Sequence, residues 1–216
     1  MNGNLAFPVQ KIRPGSVRGG AFPVTRRSLL ALLLAWGDLS LRAASAQERP
    51  IPQFNSDGYQ FTILDPQQQV PSLRLFRLKG GTLELQSLRG KPVLLNFWAS
   101  WCAACRQELP VLDRLYRGPF RDKLHVLAVS EDRSDRRTVE KFINELGITA
   151  IPVFLDPHGY AAYSDLGNRK SAPFALYGMP ITYAIAASGT VVGYMPGAAD
   201  WAAPPAMRLI EYLLEV

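Results

Sequence analysis

A chain of 216 residues, 48% hydrophobic and 19% charged, can bury the core of one domain, with room for a leader. The formal net charge of +6 comes mostly from the first 46 residues, where Lys11, Arg13, Arg18, Arg26, Arg27 and Arg42 face a single acid, Asp38. The remainder is nearly neutral, so it lacks the clustered, uncompensated Lys and Arg that nucleic-acid binding requires, and a nucleic-acid partner is not expected.

Residues 1–46 read as a cleaved export signal. A long basic stretch precedes the apolar run SLLALLLAW, and Ala44-Ser45-Ala46 offers small residues for a cut after Ala46. The apolar run is shorter than the ~20 residues a spanning helix needs. TRRSLL, Thr25 to Leu30, resembles a twin-arginine signal; an ordinary secretory signal with an arginine pair is the alternative. The destination implied is an oxidising compartment, expected to be a bacterial periplasm.

Residues 47–60 are polar and read as an extended lead-in to a domain at 61–216. FTILD and LRLFRL are predicted strands, followed by the turn-rich GGTLELQSLRGKP. PVLLNFW, Pro92 to Trp98, is a continuous apolar run of the kind found in a strand buried on both faces. Helical spacing follows from Ala103 to Tyr116, with Leu109, Leu112 and Tyr116 widened by Val111 and Leu115. KLHVLAVSED is a strand. SDRRTVEKFINELG is a helix with Ser134 as its candidate cap and Gly147 as its stop. IPVFLD is a strand closed by DPHG, and YAAYSDLG is predicted as a short helix. Two strands joined at Ser188-Gly189 form a hairpin signal, and PPAMRLIEYLLEV is a terminal helix with proline at its start. The order predicts an α/β domain: a mixed sheet covered by helices, parallel strands first and an antiparallel hairpin last.

The only two cysteines, Cys102 and Cys105, stand between the apolar strand and the helix. As metal ligands they are half a tetrahedral set, with only His125 and His158 to add. As inert apolar residues their spacing at a helix start would be coincidence. As a redox pair they are well placed. Unpaired N–H groups and the helix dipole favour a thiolate at Cys102, the nucleophile of disulfide exchange, and Cys105 lies one turn on to resolve the mixed disulfide. The redox reading is the expected one, and no cofactor beyond this pair is required.

LNFWASWCAACRQELP together with GMPITYAIAASGTVVGYMPGAADW resembles the TlpA/ResA type of thioredoxin-fold thiol-disulfide oxidoreductases. The resemblance implies a thioredoxin-like fold with an N-terminal extension and a central βα insertion. It implies a cis proline at Pro180, preceded by Met179, whose backbone pairs with the client chain. Trp101, Ala103, Ala104 and Met179 are the implied client-contacting residues, Trp98 is a second flanking tryptophan, and Pro110 is the helix-kinking proline. Classical thioredoxins carry a buried aspartate where this chain has Asn96, which cannot accept a proton. Glu108, three residues after Cys105 on the same helix face, is the candidate acceptor instead; a surface glutamate paired with Arg106 or Arg114 is the alternative. The dipeptide Ala103-Ala104 offers Cys102 no tuning charge.

The activity implied is reduction of disulfides in exported proteins, of the cytochrome c or copper-site maturation type, by a monomer fed electrons by a membrane thiol donor. A disulfide-inserting oxidant is a second enzymatic reading. A copper-site metallochaperone using both cysteines as ligands is a non-enzymatic one. A peroxiredoxin fits less well, because Ala99 stands where a Thr or Ser would be expected three residues before Cys102.

Overall fold

In the computed structural model the apolar run becomes β6 (Val93–Trp98), every residue of it buried. Alternation sends its side chains to two cores. Leu94 and Trp98 enter one, and Val93, Leu95 and Phe97 enter the other. The structure describes residues 49–133, 135–164 and 172–216. The export-signal reading, with its arginine pair and its cut after Ala46, lies outside the described residues.

The lead-in is more structured than its polarity suggests. Asp57 and Gly58 both take positive φ, the Asp-Gly signature of a tight hairpin, and join β1 (Asn55–Ser56) to β2 (Tyr59–Gln60). Phe54, just before this hairpin, is buried edge-on against Trp201, ring centroids 5.2 Å apart. After β3 (Thr62–Gln69) come β4 (Arg74–Arg77) and β5 (Thr82–Glu84), and the turn-rich stretch closes in a 3-10 turn, Leu85–Leu88.

Beyond β6 the chain runs through α1 (Ala103–Arg117), β7 (His125–Ser130), α2 (Arg136–Glu145), β8 (Val153–Leu155), β9 (Ala162–Tyr163), β10 (Phe174–Ala175), β11 (Ile181–Ile185), β12 (Thr190–Pro196) and α3 (Pro204–Glu215). The main sheet has the order β3-β12-β11-β6-β7-β8-β4-β5. β6, β7 and β8 are parallel, while β11 runs antiparallel beside β6 and β12 antiparallel beside β11. This is the mixed sheet expected, with β6 near its centre. Leu109 and Leu112 of α1, Val139 and Phe142 of α2, and Leu209, Ile210 and Leu213 of α3 share one core with Leu94, Val126 and Ala184.

Two expectations are corrected. The short helix predicted at YAAYSDLG is not formed where the chain is described. Asp156 accepts the N–H groups of Tyr160, Ala161 and Ala162, which fixes a turn, and Ala162–Tyr163 then pairs in parallel with Phe174–Ala175. The cap of α2 is Asp135, whose side chain accepts from the Thr138 N–H at 3.0 Å; Ser134 lies outside the described residues. Gly147, at φ 65°, ends that helix as its sequence position indicated. Among the described residues no helix is long and apolar enough to cross a membrane.

Candidate active site

β6 ends at Trp98, and four residues later Cys102 is the N-cap of α1. The intervening loop is tied down by a residue the sequence did not mark. Asp132, buried after β7, accepts the Ser100 N–H at 2.9 Å and the Ser100 hydroxyl at 2.6 Å, and also takes the Ser130 hydroxyl at 2.7 Å. Cys102 and Cys105 form a disulfide with Cα atoms 5.3 Å apart. The Cys105 N–H donates to Cys102 Sγ at 3.1 Å, so a first-turn N–H with no helical partner points at this sulfur, an arrangement that favours a thiolate there. Cys102 keeps 7% of its surface and Cys105 none, so Cys102 is the more accessible of the two.

The second wall is the segment before β11. The Met179–Pro180 peptide is cis, and the Met179 carbonyl oxygen lies 3.5 Å from Cys102 Sγ. Pro180 is buried and its carbonyl accepts from the Gly197 N–H at 2.8 Å. Ala103 is exposed and Ala104 half-buried at the mouth of the site. Trp101 is 73% exposed, whereas Trp98 is buried and stacked on Phe142 at 5.1 Å.

Behind the disulfide lies Glu108, only 1% exposed, so the surface alternative does not hold. Arg106, one of the surface partners considered for it, stacks over Phe142 instead and lies 3.7 Å from Glu145. Glu108 Oε1 accepts from the Trp201 indole N–H at 2.9 Å and the Ala199 N–H at 3.1 Å; Oε2 accepts from Asn96 Nδ2 at 2.8 Å. The same Asn96 amide donates to Thr182 Oγ1 at 2.9 Å. Burial pushes the carboxyl up to about 7, and the donors from Trp201, Ala199 and Asn96 hold it from going further. The carboxyl therefore changes charge near neutral pH, one helical turn from Cys105.

A redox pair at a helix start beneath a cis proline is a site many proteins share, so relatives bear on the reading. Residues 66–193 match the model of the AhpC/TSA family. Over 175 residues the chain is 35% identical to the thiol-disulfide oxidoreductase ResA of Oceanobacillus iheyensis, covering 81% of each chain. The chain belongs to the AhpC/TSA family. Within it the chain is of the TlpA/ResA type, and it is a thiol-disulfide oxidoreductase. The thioredoxin-like protein YneN of Bacillus subtilis is 35% identical over 127 residues, 57% of this chain and 67% of that one. Among solved structures, a candidate thiol:disulfide interchange protein DsbE from Chlorobium tepidum superposes with TM-score 0.55 at 26% identity, over 68% of this chain and 96% of that one.

As in any TlpA/ResA-type protein, the reaction needs room for a second polypeptide. A cleft of about 730 Å³ opens beside Trp101 and Met179, lined also by Leu176, Gly178, Ser164 and the run Glu131–Arg133. Its walls are apolar where they flank the site and charged along the end of β7. Of the two histidines considered as ligands, His125 is half-buried in β7 and His158 sits in the turn with its ring 5.5 Å from Tyr160. Among the described residues no group of three or more His, Cys, Asp or Glu side chains is placed to hold a metal ion.

Proposed function

We propose that the protein reduces disulfides in exported proteins, with Cys102 as attacking thiolate, Cys105 as resolving thiol and Glu108 as the proton acceptor of the resolving step. The observation that carries this reading is the juxtaposition of the Cys102–Cys105 disulfide with a buried carboxyl one turn further along the same helix. Cys102 attacks the client disulfide and becomes joined to one client sulfur, while the other leaves as a thiolate. Cys105 then attacks Cys102 Sγ. Its proton passes to Glu108, the enzyme disulfide forms, and the client leaves reduced. The exposed Trp101, Ala103, Ala104 and the Met179 backbone are the proposed client contacts, with Pro180 setting the direction of that backbone.

Clients of the cytochrome c or copper-site maturation type, a membrane thiol donor that returns the electrons, a monomeric state and a periplasmic location reached by a twin-arginine signal complete the proposal. Its support is the type to which the chain belongs and the residue pattern of 1–46. The test is the reduction potential. The protein is equilibrated with dithiothreitol or glutathione and its disulfide fraction read. A value near the ~−270 mV of thioredoxin supports a reductase; one near the ~−120 mV of strong oxidants makes it a disulfide donor and overturns the proposal.

A further inference from the structure

Glu131 lies at the end of β7 and lines the cleft shared by Trp101 and Met179. Its main-chain N–H donates to the Trp98 carbonyl at 2.8 Å, which ties it to the strand that leads into the cysteines. Its Oε1 is buried with no hydrogen-bond donor in reach, and the charge of the Asp156 carboxyl bears on it. A buried carboxylate oxygen without a donor, under the charge of a second carboxylate, is unfavourable, so one of the two carries a proton. Asp156 accepts three main-chain N–H groups, from Tyr160 at 2.8 Å, Ala161 at 2.7 Å and Ala162 at 3.1 Å, whereas Glu131 Oε1 has none. The proton belongs to Glu131. The charged groups around it are Asp156 at the end of β8 and its own neighbours Asp132 and Arg133. Burial first, and then the charge of Asp156, raise its carboxyl to about 9, against the opposing pull of Arg133.

We infer that Glu131 is the acid of the client side: it protonates the client sulfur that leaves when Cys102 attacks. This rests on the exchange reaction proposed above. In that step a bond forms between Cys102 Sγ and one client sulfur and the client S–S bond breaks. The electron pair of that bond goes to the departing sulfur, and the proton of Glu131 follows it. Glu131 is left as a carboxylate and regains its proton from water. The site then has two acids with separate tasks. Glu108 serves Cys105 from inside the core, and Glu131 serves the client from the cleft. In the reverse direction the Glu131 carboxylate takes the proton of an attacking client thiol.

The test compares two disulfides with different leaving groups. Oxidised glutathione releases an alkyl thiol of ordinary pKa, about 8.5, which needs a proton. An aromatic nitrobenzoate disulfide releases a thiolate that is stable at neutral pH and needs none. In Glu131→Gln, which keeps shape and neutrality, reduction of oxidised glutathione should slow by at least about tenfold. Reduction of the aromatic disulfide should be unchanged, which also shows that the variant is folded. In the wild type the ratio of the two rates should fall as pH rises through about 9; any change in Cys102 affects both substrates and cancels. Equal effects on both substrates in the variant, or a ratio flat with pH in the wild type, overturn the assignment of Glu131. A wild-type protein that reduces neither disulfide overturns the exchange reading itself.

Discussion

Asn96 on β6 and Glu108 on α1 are joined across the core by a 2.8 Å hydrogen bond from the Asn96 amide to Glu108 Oε2. An asparagine at this place supplies no acid, but it positions one. Its Oδ1 is buried and unpaired, so turning the amide breaks no bond of that oxygen, though Nδ2 gives up its contacts with Glu108 and Thr182. Glu108→Gln keeps shape and most contacts: Gln can still accept from Trp201 and Ala199, and a turned Asn96 can accept from its new amide at the cost of its own Nδ2 contacts.

The first prediction concerns rate. The resolving step needs the Glu108 carboxylate, so the wild-type rate should rise as pH passes through about 7. Glu108→Gln should lose this inflection and run about tenfold to a hundredfold slower, keeping only the ionisation of the thiols. Stopped-flow pH–rate profiles of the two proteins decide it. Superimposable profiles mean that solvent takes the proton.

The second concerns stability. The folded carboxyl holds its proton from 4.5 to about 7, whereas the unfolded one releases it near 4.5. The folded state therefore binds more protons in that window, and stability falls as pH rises across it. The stabilisation is complete below pH 4.5 and lost by about 7, a decline on the order of 3 kcal/mol. Urea unfolding of the oxidised protein at several pH values should show this decline, and the difference between wild type and Glu108→Gln should carry it.

The third separates the two cysteines. Cys105→Ser leaves Cys102, the more accessible of the two sulfurs, without its resolver and should accumulate mixed disulfides when it attacks a client disulfide. Cys102→Ser leaves only a fully buried thiol and should trap none. Non-reducing gels of both variants after incubation with a disulfide-bearing peptide read the outcome, and equal trapping reverses or cancels the assignment.

The fourth tests the leader. A mature chain beginning at Gln47 is expected, and replacing Arg26 and Arg27 by Lys should block export by the twin-arginine route. Mass spectrometry of the exported protein gives the first residue. Undiminished export of the Lys variant points to the general secretory route instead.

Sequence patterns disclosed the parts of this molecule that are set by long apolar runs. Val93–Trp98, the stripe of α1 and the final hairpin all stand where periodicity placed them. What stayed hidden depends on partners far along the chain. Phe54 is one aromatic residue in a polar stretch, and its burial follows from Trp201, which nothing local announces. Alanine-rich YAAYSDLG has helical composition, but Asp156 takes the N–H groups of Tyr160, Ala161 and Ala162 into a turn. Ser134 and Asp135 are both good caps, and sequence alone does not choose between neighbours. Glu108 was visible through its spacing from Cys105. Glu131 and Asp132 were not: the sequence placed them at the end of the strand KLHVLAVSED, where two acids ordinarily face solvent.

Asp132 gives the fifth prediction. Its carboxylate is the shared acceptor of the Ser100 N–H, the Ser100 hydroxyl and the Ser130 hydroxyl, and so fixes the loop from β6 to Cys102 against the end of β7. Asp132→Ala leaves those buried donors without acceptors, at about 1–3 kcal/mol for each group that water does not reach. A loss of about 2–3 kcal/mol in urea unfolding is expected. Ser100→Ala removes one donor and keeps the main-chain contact, so it should lose about 1 kcal/mol. The loop also sets where Cys102 stands relative to the Met179 carbonyl 3.5 Å away. Asp132→Ala should therefore slow client reduction severalfold, while Ser100→Ala changes it little. If Asp132→Ala unfolds at the wild-type urea concentration, water replaces the carboxylate without cost, and the position of Cys102 is set by α1 alone.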